Sequence, residues 1–207
     1  MQSRLIDQTI WLNDNDPRPE KRISPFDHPT RIVGAFSYEL PFGKGKKFAV
    51  QSRWADVLVS GWKLNSIYTF QSGAPITWIN GSTNNISDYI YYGGPLNLNN
   101  RSTDGPAFDT SVFNTKSAEQ LQYHIRTFAT TFGKLRQDGI SNWDASMIKE
   151  QYFRERTYLQ LRFESFNVIN HPTFAAPSTQ PANLQFGIIT SQSNRPRALQ
   201  AGVRLVF

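Results

Sequence analysis

Ala198-Leu199-Gln200-Ala201-Gly202-Val203-Arg204-Leu205-Val206-Phe207 is the stretch on which the fold turns. Successive side chains of an extended strand point to opposite sides. Leu199, Ala201, Val203, Leu205 and Phe207 therefore share one face, and Gln200, Gly202 and Arg204 the other. Four more segments carry the same period of two. From about Thr30 to Leu40, Ile32, Gly34, Phe36, Tyr38 and Leu40 oppose Arg31, Ser37 and Glu39. From about Trp62 to Gln71, Trp62, Leu64, Tyr68 and Phe70 alternate with Lys63, Asn65, Thr69 and Gln71, with Ser66 and Ile67 breaking the pattern locally. From about Trp143 to Gln151, Trp143, Ala145 and Met147 oppose Asp144, Ser146 and Glu150, and from about Tyr158 to Val168, Leu159, Leu161 and Phe163 oppose Gln160, Arg162 and Glu164.

The links between these segments alternate in length. Arg154-Glu155-Arg156 is tight, whereas Ser72 to about Asn142 is a long polar region, and a loop rich in Pro, Asn and Ser runs from Asn170 to about Arg195. Residues 41–61 make an intermediate link in which Trp54 to Ser60 can add local structure. Such alternation is expected where one side of a membrane carries turns and the other carries long loops, and strands of about 9–11 residues suit a tilted span. Alternation by itself also fits a soluble half-buried sheet, so on periodicity the two readings stand level. Charges on the polar face (Arg31, Glu39, Lys63, Asp144, Glu150, Arg162, Glu164, Arg204) suit a hydrated barrel interior. Lys149, on the face of Trp143, Ala145 and Met147, is out of place there and is expected to snorkel from a strand end.

Composition narrows the classes further. The 207 residues include 15 Phe, 8 Tyr and 5 Trp and no cysteine, with a net charge of +6. Aromatics favour strands and membrane interfaces. The lack of cysteine removes disulfides and thiolate metal sites. Lys and Arg form no basic stripe and no recognised module is present, so no nucleic-acid partner is expected. No run approaches the ~20 apolar residues of a spanning helix. The N-terminus has no signal-peptide core, from which an envelope chain is expected to be a fragment.

Candidate chemistry is sparse. His28, His124 and His171 lack metal-site spacing, Gly43-Lys44-Gly45-Lys46-Lys47 lacks the phosphate-loop spacing, and no G-x-S-x-G elbow occurs. No cofactor, no metal and no catalytic residue is expected, and the chain is not expected to be an enzyme. The aromatics of the long polar region, Trp78, Tyr89, Tyr91, Tyr92 and Phe108, sit among Asn, Ser and Asp. They can either contact an amphipathic ligand or pack the loop, and packing is the stronger expectation because rings tend to bury.

The C-terminal stretch resembles the terminal β-signal of outer-membrane proteins, polar-x-Gly-x-x-hydrophobic-x-aromatic, with Gln200, Gly202, Leu205 and Phe207 in its four positions. Longer blocks resemble the C-terminal barrel region of Oar-like TonB-dependent receptors, the type that carries a carboxypeptidase-regulatory-like domain upstream. They are Phe26-Asp27-His28-Pro29-Thr30-Arg31 with Tyr38-Glu39-Leu40-Pro41-Phe42-Gly43-Lys44-Gly45, Gly61-Trp62-Lys63-Leu64-Asn65 with Gln71-Ser72-Gly73-Ala74-Pro75, and Asn142-Trp143-Asp144-Ala145-Ser146. Leu161-Arg162-Phe163-Glu164-Ser165-Phe166-Asn167 with Asn170-His171-Pro172-Thr173-Phe174, then Phe186-Gly187 with Pro196-Arg197 and Gln200, complete the series. Phe132 to Gly139 follows the family's glycine- and arginine-rich stretch only loosely, and Pro29-Thr30 separates His28 from Arg31.

The resemblance implies an all-β fold: about five C-terminal antiparallel strands of a transmembrane outer-membrane β-barrel, with long extracellular loops. Residues 1–28 are expected to be the remnant of an extracellular loop and 29–207 the C-terminal part of the receptor barrel. Links 41–61 and 152–157 would be periplasmic, 72–142 and 169–196 extracellular. The implied partners are outer-membrane lipid, the barrel assembly machinery, the remainder of the receptor (plug and upstream strands), the TonB complex through it, and an unidentified ligand. Five strands cannot close a membrane barrel, whose ordinary minimum is about eight, so the chain alone is not expected to transport. The alternative is a secreted soluble β-sandwich that binds carbohydrate, whose apolar strand faces would meet a second sheet instead of lipid.

Overall fold

The computed structural model describes residues 23–43, 45–78, 87–98, 104–122, 127–129, 131–154 and 156–207. Most of the loop remnant expected at 1–28, as well as Lys44, His124 and Glu155, lies outside the described residues. In chain order the elements are β1 (Arg31–Glu39), α1 (Arg53–Val59), β2 (Trp62–Gln71), β3 (Pro75–Thr77), β4 (Ser87–Asp88), a 3-10 turn (Ser117–Glu119), β5 (Leu121–Gln122), β6 (Thr131–Arg136), β7 (Ile140–Arg154), β8 (Thr157–Phe166) and β9 (Ala198–Val206).

The chain divides into two compact units. One, a sheet unit, holds Thr30–Ser72, Gly139–Thr173 and Ser193–Phe207. Its five strands run in the order β1-β2-β7-β8-β9, all neighbours antiparallel. The five alternating segments of the sequence are these five strands. β7 is longer than its alternation suggests, with 15 residues from Ile140 to Arg154. Asn142 and Ser141, polar enough to read as loop, pair with Thr69 and Phe70 and so belong to the ladder.

Register carries the two faces unbroken across the sheet. Tyr38 lies opposite Leu64, Leu64 opposite Met147, Met147 opposite Phe163 and Phe163 opposite Ala201. On the other side Glu39, Lys63, Ile148, Arg162 and Gly202 form a row, and Ser37, Asn65, Ser146, Glu164 and Gln200 the next. A slip of one residue would exchange the faces. The local break in β2 is absorbed within this register: Ser66, on the apolar face, accepts a hydrogen bond from the Trp143 indole. Ile67 lies on the polar face opposite Ala35 and Asp144.

Lys149 departs from expectation. It is not at a strand end, because β7 continues to Arg154. It is buried, and its ammonium donates to the carbonyl of Ser60 while lying 5.3 Å from the centre of the Trp62 ring. A backbone carbonyl of the β1–β2 link therefore takes up a hydrogen bond from an apolar-face cation that snorkelling was expected to relieve. Gly61 makes the junction possible. It has φ +72°, and a Cβ there would stand 2.2 Å from the carbonyl oxygen of Glu150, whose N–H donates to the Gly61 carbonyl at 3.0 Å.

The loop unit comprises the described residues up to Pro29 together with Gly73–Asp138 and Phe174–Gln192. Within it β3 pairs with β6 and β4 with β5. These short pairings fall in the polar region 72–142, where strands of two to six residues are too brief to show a period. Its core is aromatic: Trp78 meets Phe108, Phe128 and Phe132 edge-on at 5.1, 5.9 and 5.4 Å. Phe113 meets Phe186 at 5.3 Å, which joins the second loop segment to the first. Gly187 follows at φ +80°, where a Cβ would lie 2.6 Å from Thr110, and its carbonyl accepts from Ala107 N–H at 2.7 Å. The fully buried Asp88 accepts from the backbone of Tyr89, Thr127 and Phe128 and from the Thr127 hydroxyl, at 2.6–3.1 Å. A second anchor is Arg136, which donates to the carbonyls of Asp27, Gly73 and Gly133 and pairs with the Asp27 carboxylate at 2.6 Å.

Two outcomes are expected. Asp88→Ala orphans four donors, and with charged hydrogen bonds each contributing about 1.5–3 kcal/mol it should destabilise the loop unit by about 3 kcal/mol or more, read as an early loss of near-UV aromatic ellipticity on heating. Gly61→Ala adds left-handed strain of about 1–2 kcal/mol to a backbone overlap, and should lower the melting temperature clearly more than Gly34→Ala, where a Cβ meets nothing within 4 Å.

Candidate functional site

The polar face of the sheet is the larger candidate. Register places Arg31, Glu39, Lys63, Asp144, Glu150, Arg162, Glu164 and Arg204 on that one side, as the alternation predicts. The charges are knitted together. Arg162 pairs with Glu164 at 2.7 Å and Glu39 with Lys46 at 2.8 Å. The Glu150 carboxylate accepts from Gln160 at 2.9 Å and from the Tyr152 hydroxyl at 3.1 Å, and Ser37 donates to Asn65, which donates to Ser146. Such pairs, largely exposed to water, contribute little to stability. Their effect is to give a wall that hydrates evenly without a strong net field.

The apolar face differs in kind. Leu199, Val203 and Leu205 are 77%, 73% and 57% exposed, so large aliphatic side chains stand in a continuous row with nothing of their own kind above them. Shallow grooves run between them, one lined by Leu64, Met147, Phe163 and Leu199 and another by Phe36, Tyr68 and Trp143. Aromatics gather toward both ends: Tyr68, Phe70 and Trp143 at the long-loop end, Trp62, Phe153 and Phe207 at the short-turn end. The 10 residues of β8, at about 3.4 Å each and a tilt of about 40°, rise about 26 Å, which matches the apolar band of about 25 Å in spanning barrels.

Between the ends of β8 and β9 lies a network that sequence reading did not single out. Asn167 and Asn170 adopt φ 52° and 51°. The buried Asn167 donates to the carbonyls of His171 and Arg195 and accepts from His171 N–H, while its own N–H donates to Asp144. Asn194 donates to His171 and accepts from Thr173, and Asn170 accepts from Arg197 N–H. The Asn-x-x-Asn-His-Pro spacing is thus a tie between the two ends of a long loop. Its legible signal was asparagine, the residue that best tolerates the left-handed region after glycine. His171 contributes backbone groups to the tie. Among the described residues no group of three His, Cys, Asp or Glu is placed to hold a metal.

The loop aromatics separate. Trp78, Tyr89 and Phe108 are buried in the loop-unit core, and Tyr91 packs against it with its hydroxyl donating to the Gly94 carbonyl. Packing is the role their geometry displays. Tyr92, 66% exposed, is the member of the set that presents a ring to solvent. On the same unit Glu119 is held below the usual carboxylate range by hydrogen bonds from Lys116 and then Asn114. At the C-terminus, Gln200 pairs with Glu164, Gly202 with Arg162 and Leu205 with Leu159, while Phe207 lies one residue past β9 and is 95% exposed.

The comparisons with known proteins agree with this construction. No curated protein and no solved structure matches the chain. A family model described as an outer membrane beta barrel domain matches residues 3–200. The two unlike faces of the sheet, one charged and one aliphatic with aromatic margins, accordingly meet water and outer-membrane lipid, and the chain belongs to the outer membrane beta barrel domain family.

Proposed function

We propose that this chain is the C-terminal barrel section of a TonB-dependent receptor of the Oar-like type, acting in uptake across the outer membrane and carrying no catalytic chemistry of its own. The observation that carries this reading is the ordered series of sequence blocks from Phe26 to Arg197, set on strands that run short turn, long loop, short turn, long loop. Residues 29–207 are then the barrel section and the residues before them the end of an outer loop. By the usual construction of bacterial barrels the short turns face the periplasm and the long loops the exterior. The open edges of β1 and β9 take the strands of the remaining receptor, since lipid satisfies no backbone N–H or C=O group. The polar face lines the lumen beside the plug, and the ligand is met by the loop side, with Tyr92 the exposed aromatic.

In the same reading Gln200, Gly202, Leu205 and Phe207 form the signal through which the assembly machinery recognises the last strand. Gly202 supports it: a Cβ there meets nothing within 4 Å, so the sheet itself makes no demand for glycine at this position.

Each half has its own expected outcome. Immunoprecipitation of the crosslinked outer membrane with an antibody to residues 72–142 should recover plug sequence and TonB together with this chain; recovery without either ends the receptor reading. Gly202→Ala should leave the melting temperature of refolded protein unchanged or slightly raised, since Ala is favoured over Gly in a strand by about 0.5–1 kcal/mol, while lowering the amount assembled in the outer membrane. Wild-type assembly of that variant removes the signal role.

A further inference from the structure

α1 has an amphipathic pattern that neither the barrel family nor the receptor reading explains. Its seven residues, Arg53–Val59, alternate in pairs: Arg53 and Trp54 exposed, Ala55 and Asp56 half-buried, Val57 and Leu58 exposed, Val59 half-buried. Trp54 and Leu58 are one turn apart and therefore share a face, and they are 81% and 70% exposed. Asp56 is turned the other way, toward Gly43, where an added Cβ would stand 3.1 Å from its carboxylate. A seven-residue helix has too few bonds to persist by itself. It also has no side-chain cap at Ser52.

The end of this helix is fixed to the apolar face of the sheet. The Trp62 indole donates to the Leu58 carbonyl at 2.8 Å and the Lys149 ammonium donates to the Ser60 carbonyl. Both side chains belong to the outward row that includes Leu161 and Val203, and Trp62 also stacks on Phe163. The exposed ring of Trp54 and the Leu58 side chain are thus continuous with the lipid-facing surface at its short-turn end, where the aromatic margin of a barrel lies. Arg53 stands exposed on the same helix, and a cation beside an indole is the composition of helices that lie in the headgroup boundary.

We infer that α1 is an interfacial anchor: Trp54, Val57 and Leu58 insert among phospholipids of the periplasmic leaflet, while Arg53 meets their phosphates. The inserted face also keeps water from Lys149, so the same lipid contact seals the buried ammonium beneath Ser60. The inference rests on barrel membership and on the short-turn end facing the periplasm, not on the receptor reading.

Photo-crosslinking in isolated outer membranes tests it. A benzoylphenylalanine is introduced in place of Trp54, Leu58 or, as the half-buried control, Ala55, in the protein as it is assembled. Adducts are identified by mass after illumination. Phospholipid adducts several-fold more abundant from positions 54 and 58 than from 55 are the expected result. Protein adducts at 54 and 58, lipopolysaccharide adducts, or equal yields at all three positions overturn it. A spin label at Leu58→Cys reads the same surface without a bulky probe: it should be more accessible to oxygen than to a water-soluble nickel complex, and the reverse order overturns the anchor. Failure of TonB recovery leaves both readouts unaffected, so the two proposals fail separately.

Discussion

A backbone amide in hydrocarbon has no water to turn to, and each unmet group costs several kcal/mol. That constraint organises the sheet. Strands β1, β2, β7, β8 and β9 pair in the antiparallel order, with one register shift between Tyr152 and Arg154, which leaves side chains to decide only which face meets which medium. Because pairing register and face are locked together, the apolar row through Tyr38, Leu64, Met147, Phe163 and Ala201 and the polar row through Glu39, Lys63 and Arg162 are two aspects of one hydrogen-bond ladder.

Exceptions to the rule are handled locally. Ser66 and Lys149 are two of the polar side chains that the register sends to the apolar face, beside Ser141, Gln151 and Ser165. The first is matched by the Trp143 indole and the second by the Ser60 carbonyl and the Trp62 ring. Lys149 requires more, because a charge there needs a carbonyl brought to it. The left-handed Gly61 and the short helix before it deliver that carbonyl. A link that sequence alone presents as a slightly long turn is therefore part of how the outer face accommodates a cation.

Most of the sheet was legible in the sequence because period-two alternation is a direct record of its two environments. Trp62 to Gln71 was read to the residue, and β9 differed only in losing Phe207, which has no partner beyond Val206. β7 was cut short at both ends, since Ser141 and Asn142 look like loop and Tyr152 to Arg154 continue past the alternation. The loop unit was illegible as structure. Its strands are too short to show a period, and its core is assembled from aromatics spaced irregularly between Trp78 and Phe186. Asn167 and Asn170 were visible as a resemblance to a family block and Asn194 was not, and their function as ties depends on left-handed backbone at the first two and on partners far along the chain.

Phe186 completes a core whose other members come from residues 76–135. Between those two contributions the chain must lay down β7 and β8. Loop closure over such a separation is slow relative to hairpin formation, so the aromatic core closes after the β7–β8 hairpin that lies between its parts. The two long loops are also coupled in descent: a change in the bulk of either must be answered in the other, so they are free to diversify only as a pair.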